Sequence, residues 1–349
     1  KLAKMTYPLM GSLSVPALTG SIVVPRVGMP AITVAFTINA AAGTVTGTVT
    51  DGLSTVPFSA RQAEKVLGTL VGNYTTALQL DPNDQGDVTA PQGHSFGGFK
   101  VTATGAVTGA ITLADNTVVT LASPIEKGGN LTIFKLLYLN AGSFLAVLNI
   151  DSTDSFNLVD SEVSWLKLAE PTASKGRLYK AGFGPLELTT IGRKYVIPVS
   201  GIALNLTANA AGNAKIAFAE GGLASATTNP NADSIVITSG SPKVVTVLAP
   251  NPGIVALTVT PGSGAATTFV SGTTGSIKGS FQLIDADTTV TPNKPITRKA
   301  DYQGMIVDDG VAQKAYGFFI LAEMPSAGPP KTTITTSKQL SGSVVLEAK

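Results

Sequence analysis

Gly43-Thr44-Val45-Thr46-Gly47-Thr48-Val49 decides the fold class of this chain, because its spelling returns. It recurs at Gly105-Ala106-Val107-Thr108-Gly109-Ala110-Ile111 and at Gly275-Ser276-Ile277-Lys278-Gly279-Ser280-Phe281, with a degenerate copy at Gly142-Ser143-Phe144-Leu145-Ala146-Val147-Leu148. Glycine holds a positive φ without a Cβ clash, so the first Gly suits a hairpin turn. The residues after it alternate in polarity, the period of a half-buried strand. The second Gly falls inside that strand, where it predicts a bulge or the close approach of a neighbouring backbone.

The same period of two extends outward from these copies. It runs through residues 32–38 (ITVAFTI), 244–248 (VVTVL), 254–259 (IVALTV) and 196–199 (VIPV). Val and Thr are β-branched and fit a pleated surface. Gly, Pro, Asn and Asp clusters separate the runs, as at Asp81-Pro82-Asn83-Asp84-Gln85-Gly86 and Pro250-Asn251-Pro252-Gly253. Short strands with this punctuation predict an all-β protein of two tandem β-sandwich or barrel-like domains. The first is expected over residues 1–198, closed by a strand over 195–198 and carrying an N-terminal strand or arm over about 1–24. The second is expected over 199–349. One short helix is expected near 59–67, because Ser59 can cap it, Gln62 follows at the capping-box distance and Gly68 can stop it.

Composition narrows the function. The chain has 349 residues, a net charge of +2, 13% charged residues and no cysteine. Disulfides and thiolate metal sites are excluded. A single histidine, His94, excludes sites built from several imidazoles. The weak charge gives no footprint for nucleic acid. No uncharged apolar run reaches the roughly 18–20 residues of a spanning helix, so no membrane span of that kind is expected. Little Lys and Glu beside abundant Thr, Ser, Asn and Gly points to a secreted β protein. The start at Lys1 rather than Met predicts a processed form or a piece of a longer protein.

A longer duplication surrounds the glycine motif. Gly47 is followed by Phe58, Tyr74 and Gly98-Phe99; Gly279 is followed by Ile296, Tyr302 and Gly317-Phe318-Phe319. The chain ends match as well: Leu18-Thr19-Gly20-Ser21-Ile22-Val23-Val24 is spelled almost like Leu340-Ser341-Gly342-Ser343-Val344-Val345-Leu346. Gly72-Asn73-Tyr74, Gly97-Gly98-Phe99-Lys100-Val101, Leu113-Ala114-Asp115-Asn116-Thr117, Trp165-Leu166-Lys167 and Tyr179-Lys180-Ala181-Gly182-Phe183 resemble the tandem β modules of large, mostly uncharacterised secreted surface proteins of the planctomycete–verrucomicrobium type. The resemblance implies an exported protein built from repeats, at the cell surface or outside the cell. It implies no catalytic residue. Asn116 stands where that pattern has Gly, in a turn that tolerates Asn.

Candidate chemistry is sparse. His94 lies in a Gly-rich loop without the nucleophile elbow that a triad needs, so a loop or strand-entry role is expected. Asp81 to Asp87 alternates oxygen ligands but lacks the bidentate Glu of a calcium loop, since Gln92 holds that position. The pairs Asp151/Asp154, Asp285/Asp287 and Asp308/Asp309 are expected in solvated turns. Trp165 alternates in phase with Val163 and Lys167 and is expected in a core. Asn73, Asn130 and Asn205 are Asn-x-Thr sequons. No catalytic group, cofactor or metal is assigned, and no enzyme activity is expected. The matched chain ends lead instead to a self-associating structural protein, a head-to-tail homopolymer such as a filament, sheath or surface layer. Leu18, Gly20, Ile22, Val24, Leu340, Gly342 and Val344 are the expected assembly residues, because an unpaired strand edge accepts another chain. The alternative is an adhesin or carbohydrate-binding module with a glycan or surface partner, which predicts an exposed aromatic cluster around Tyr138, Tyr179 and Phe183.

Overall fold

The architecture comes from a computed structural model that describes residues 8–154, 159–226, 228–237, 243–247, 249–250 and 265–349. The expected strand at 254–259 lies outside them. The protein is all-β, and among the described residues its only helical pieces are short 3-10 turns. Strands β1 (Thr19–Arg26), β2 (Met29–Asn39), β3 (Thr44–Thr50) and β4 (Thr55–Arg61) form an antiparallel meander. Next come β5 (Gly72–Leu80), β6 (Ser95–Val101), β7 (Ala106–Thr112), β8 (Val118–Pro124), β9 (Asn130–Leu137), β10 (Gly142–Ile150), β11 (Val159–Lys167) and β12 (Phe183–Lys194). Their order is β8-β7-β6-β5-β12-β11-β10-β9, and the outermost pair β8 and β9 lie close together, so this sheet is a nearly closed barrel.

The remaining strands are β13 (Ala214–Glu220), β14 (Thr228–Asn229), β15 (Ala232–Ile235), β16 (Lys243–Val247), β17 (Ala249–Pro250), β18 (Ala265–Val270), β19 (Ser276–Asp287), β20 (Lys294–Asp308), β21 (Gln313–Ala322) and β22 (Gln339–Ala348). Except for the small β14–β17 pair they form a half-barrel ordered β15-β13-β22-β21-β20-β19-β18-β16.

The glycine motif behaves as its chemistry demands. Gly43, Gly105 and Gly275 have φ of +68°, +80° and +72°. The second Gly of each copy makes no bulge: β3 and β7 run in unbroken register with both neighbours. Close approach is the reason for the residue type. A Cβ on Gly47 would lie 2.1 Å from the Ala35 carbonyl oxygen, and one on Gly109 would lie 2.3 Å from that of Gly98. Aromatic rings from paired strands cover these bare positions, a known way to rescue a strand glycine. The row Gly20–Phe36–Gly47–Phe58 crosses β1 to β4. Gly279–Tyr302–Phe319–Gly342 crosses β19 to β22. Tyr74–Phe99–Gly109 crosses β5 to β7, with the first two rings stacked at 5.1 Å.

Two sequence expectations fail here. The helix near 59–67 is absent: Ser59, Ala60 and Arg61 are the end of β4, paired with Thr46, Val45 and Thr44 of β3. A two-turn helix is dominated by its nucleation cost, and the strand ladder supplies a partner at once. The closing strand over 195–198 is also absent. The ladder with β5 stops at Lys194–Tyr74, and Val196, Ile197 and Val199 are exposed beside Pro198, which has no N–H to donate.

Each large sheet encloses its own core. Trp165, Phe144, Leu78 and Ile111 fill the barrel; Phe218, Phe281, Tyr302 and Phe319 fill the half-barrel. The two pack together where Gly93 and His94 meet β21: a Cβ on Gly93 would lie 2.2 Å from Phe318 Cβ, and the His94 N–H donates to the Gly317 carbonyl at 3.1 Å. Ala77, Val307 and Tyr316 form a small buried cluster across the same contact. The β1–β4 sheet joins the barrel more sparsely. Lys127 donates its N–H to the Gln62 carbonyl at 2.7 Å and its ammonium to that of Ala41 at 3.2 Å, and the Glu64 N–H donates to the Ile125 carbonyl at 2.8 Å.

Candidate assembly edge

The strand-forming character of β1 and β22 follows from their near-identical spelling, but their surroundings differ. β22 pairs with β21 over 339–346 and with β13 over 342–348, so both of its edges are occupied over 342–346. Gly342 sits opposite both Glu220 and Phe319, and Leu340 and Val344 are buried. Gly342 and Val344 of the expected assembly set are therefore bracketed inside the half-barrel, while Leu340 is buried and paired with Leu321 of β21. Among the described residues β1 pairs only with β2, apart from an isolated bridge between Ser14 and Thr19, and its outer edge has no partner strand. Leu18 stands just before the strand at φ +52°, its carbonyl accepting from the Ile38 N–H at 2.9 Å.

Gly20, Ile22 and Val24 share one face of β1, as alternation requires. Val24 packs with Ile32 and Val34 of β2 under the half-buried Ile22, Phe36, Val49 and Phe58. A four-stranded sheet has no second layer of its own to close such a face. An extended segment partly covers it: Leu9 lines a groove of about 430 Å³ with Val24, Ile32 and Val34, and a Cβ on Gly11 would lie 2.7 Å from Ile22 Cγ1. The cover is thin. Leu9, Met10, Leu13 and Val15 remain largely exposed, as do Val23, Met29 and Val56 on the strands. Charge around the face is slight. Arg26 lies 3.7 Å from Asp51, whose carboxyl sits below the usual range chiefly because the Ser54 and Leu53 N–H groups donate to it. Pro25 and Pro57 punctuate the two outer strands, which confines further pairing on β1 to Thr19–Val24.

The aromatic residues expected as an exposed cluster do assemble, but Tyr179 is buried and Tyr138 and Phe183 are half-buried against the barrel core. Trp165 meets Phe183 edge-on at 4.7 Å, Phe183 meets Tyr179 at 5.8 Å, and Tyr179 is buried. The Trp165 indole N–H donates to the Tyr138 hydroxyl at 3.0 Å, which donates to Asp115 at 2.5 Å. Burial, and then the Asp115 charge, push the Tyr138 hydroxyl far above its ordinary value and keep it a donor. Lys167 shares the face of Val163 and Trp165, and its ammonium reaches Glu170 and the Leu178 carbonyl, each at 2.8 Å.

His94 enters β6 with its ring edge-on to Tyr316 at 5.4 Å; its Nδ1 has no hydrogen-bond partner among the described residues. Burial lowers its pKa to about 4. In the Asp81–Asp87 loop the Gln92 amide takes the inward carbonyls, donating to those of Asp87 at 2.7 Å and Asp84 at 3.1 Å while accepting from the Gly86 N–H at 2.6 Å. No group of three or more potential ligands is placed for a metal among the described residues. Asp151 and Asp287 make tight turns onto Thr153 and Thr289. Asp285 departs from expectation: it is fully buried against Arg298 at 2.6 Å, a pair invisible in the sequence because the partners meet across β19 and β20.

Comparison with family models, with curated proteins and with solved structures finds no match for this chain.

Proposed function

We propose that this chain is a self-associating extracellular structural protein, the subunit of a filament, sheath or surface layer. The observation that carries the reading is the contrast between two strands of one spelling: among the described residues β22 has two neighbouring strands and β1 has one. The segment over 8–13 of one copy is the donor, and the β1–β4 sheet of the next copy is the acceptor. It occupies there the position that it holds on its own sheet, beside Val24 and Ile22. Exchange of an identical element is a low-cost route to association, and a contact passed from each copy to the next does not close. Leu9, Met10 and Leu13 stay exposed in that position, so each contributes less than the roughly 1.5–3 kcal/mol of full burial, against an association cost of about 4–15 kcal/mol. Assembly is therefore expected to be concentration-dependent.

Negative-stain microscopy and sedimentation over a concentration series test the proposal. Polymers that grow with concentration are expected. Removing residues 1–13, or replacing Val34 with Asp on the acceptor face, leaves monomers. Monomers of the full chain at every concentration overturn the reading, and so does assembly that survives both changes.

A further inference from the structure

A second surface is built where the barrel and half-barrel loops meet, remote in sequence from the assembly edge. The chain between β11 and β12 faces the long connection between β21 and β22 across a cleft of about 750 Å³. The walls are stitched together. Arg177 donates from Nε to the Ser337 carbonyl at 2.7 Å and from Nη2 to that of Ile334 at 2.5 Å. The Gln339 N–H returns to the Arg177 carbonyl at 3.0 Å, and the Ser341 N–H donates to the Tyr179 hydroxyl at 2.8 Å. Such a cleft is formed before any ligand arrives, and clefts between domains are preferred ligand sites.

Its charge is one-sided. Lys175, Arg177, Lys180 and Lys338 line it against a single carboxylate, Glu323. Arg177 and Lys180 each donate to two carbonyls, Lys180 to those of Thr172 at 2.7 Å and Ser174 at 2.6 Å, and so set the field and the shape of the wall. Lys175 and Lys338 are exposed and make no ion pair among the described residues. Between the cations lie apolar surfaces from Leu340 and Pro330 and the hydroxyls of Thr332 and Thr335. Apolar floor, hydroxyl partners and paired cations match a pyranose ring that carries an anion: its C–H face packs, its hydroxyls bond, and its carboxylate or sulfate meets the ammonium groups.

We propose that this cleft binds an acidic polysaccharide, with Lys175 and Lys338 contacting its anionic groups. The full chain is titrated calorimetrically at low salt with oligogalacturonate, with a heparin-derived sulfated oligosaccharide and with neutral dextran oligosaccharide. At least one acidic oligosaccharide is expected to bind and the dextran not to; which acidic probe binds separates uronate from sulfate recognition. The Lys175→Ala/Lys338→Ala double variant is expected to weaken binding about fivefold or more, from two exposed charge contacts. Lys278→Ala/Lys299→Ala, which removes the same charge from the outer face of β19 and β20, is expected to leave it unchanged. Equal binding of dextran, no binding of either acidic probe, an unchanged affinity in the cleft variant, or an equal loss in the control variant overturns the proposal. Removal of residues 1–13 leaves the cleft intact, so the assembly reading and this one fail separately.

Discussion

The strands β1 and β22 present one spelling in two settings. In β22 the positions over 342–346 are bracketed by β13 and β21, and among the described residues the matching positions of β1 have a partner strand, β2, on one side alone. Each strand contains a glycine under a phenylalanine, Gly342 beneath Phe319 and Gly20 beneath Phe36. Local sequence therefore specifies the strand and its bare position, and the number of neighbours decides what that position costs to change. The half-barrel row is locked on both sides, whereas the β1 row can yield by moving a half-buried ring.

The sharpest way to break this contrast is at the ion pairs of the two sheets. Arg298 and Asp285 are both fully buried in the half-barrel. Arg298→Ala strands a carboxylate there and is expected to cost about 3–5 kcal/mol in chemical denaturation. Arg26→Ala in the small sheet, whose Asp51 partner is half-exposed at the longer distance of 3.7 Å, is expected to cost about 1 kcal/mol or less.

Next come the glycines. A Cβ on Gly342 would lie 2.3 Å from the Phe319 ring and 2.5 Å from the Ala219 carbonyl oxygen, which belongs to backbone held in a ladder. Gly342→Val is expected to cost roughly 3 kcal/mol by overpacking. The atoms nearest a Cβ on Gly20 belong to the Phe36 ring, the first at 2.5 Å. Gly20→Val is expected to cost about 1 kcal/mol. Equal losses at the two sites would remove the distinction between the strands.

The contact between barrel and half-barrel supplies a pH test. His94 is neutral when folded because burial holds its pKa near 4, against 6.5 when unfolded. The unfolded chain takes up the extra proton, so stability is full above about pH 6.5, falls as pH drops toward 4, and levels off below. A shift of this size corresponds to at most roughly 3 kcal/mol. His94→Gln is expected to flatten the slope of unfolding free energy between pH 6.5 and 4.

Much of the fold was legible. Residues 32–38 alternate in the sequence, and Ile32 and Val34 are buried in β2. The first glycines of the three full copies take left-handed turns. Trp165, in phase with Val163 and Lys167, lies in a core. The misreadings have physical causes. Ser59 to Gly68 carries helix end signals, but those describe only local preference, and β3 offered a ladder along Thr55–Arg61. Tyr138, Tyr179 and Phe183 were grouped correctly and placed on the wrong side, since periodicity identifies a shared face without saying which face is covered. Arg177 was missed because its partners, Ser337 and Ile334, lie far along the chain and are backbone carbonyls without a side-chain signature.

Period-two patterning, turn glycines and β-branched residues by themselves determined that this chain makes strands and where the strands turn, because those preferences act over a few residues. Only the tertiary structure decided that the strands divide into a four-stranded meander, a nearly closed barrel and a half-barrel. It also decided that β22 is enclosed over 342–346 while β1, among the described residues, has a partner strand on one side alone, and that four cations gather at one cleft. Those outcomes depend on contacts between residues more than a hundred positions apart, and no local pattern encodes the partner of a strand edge.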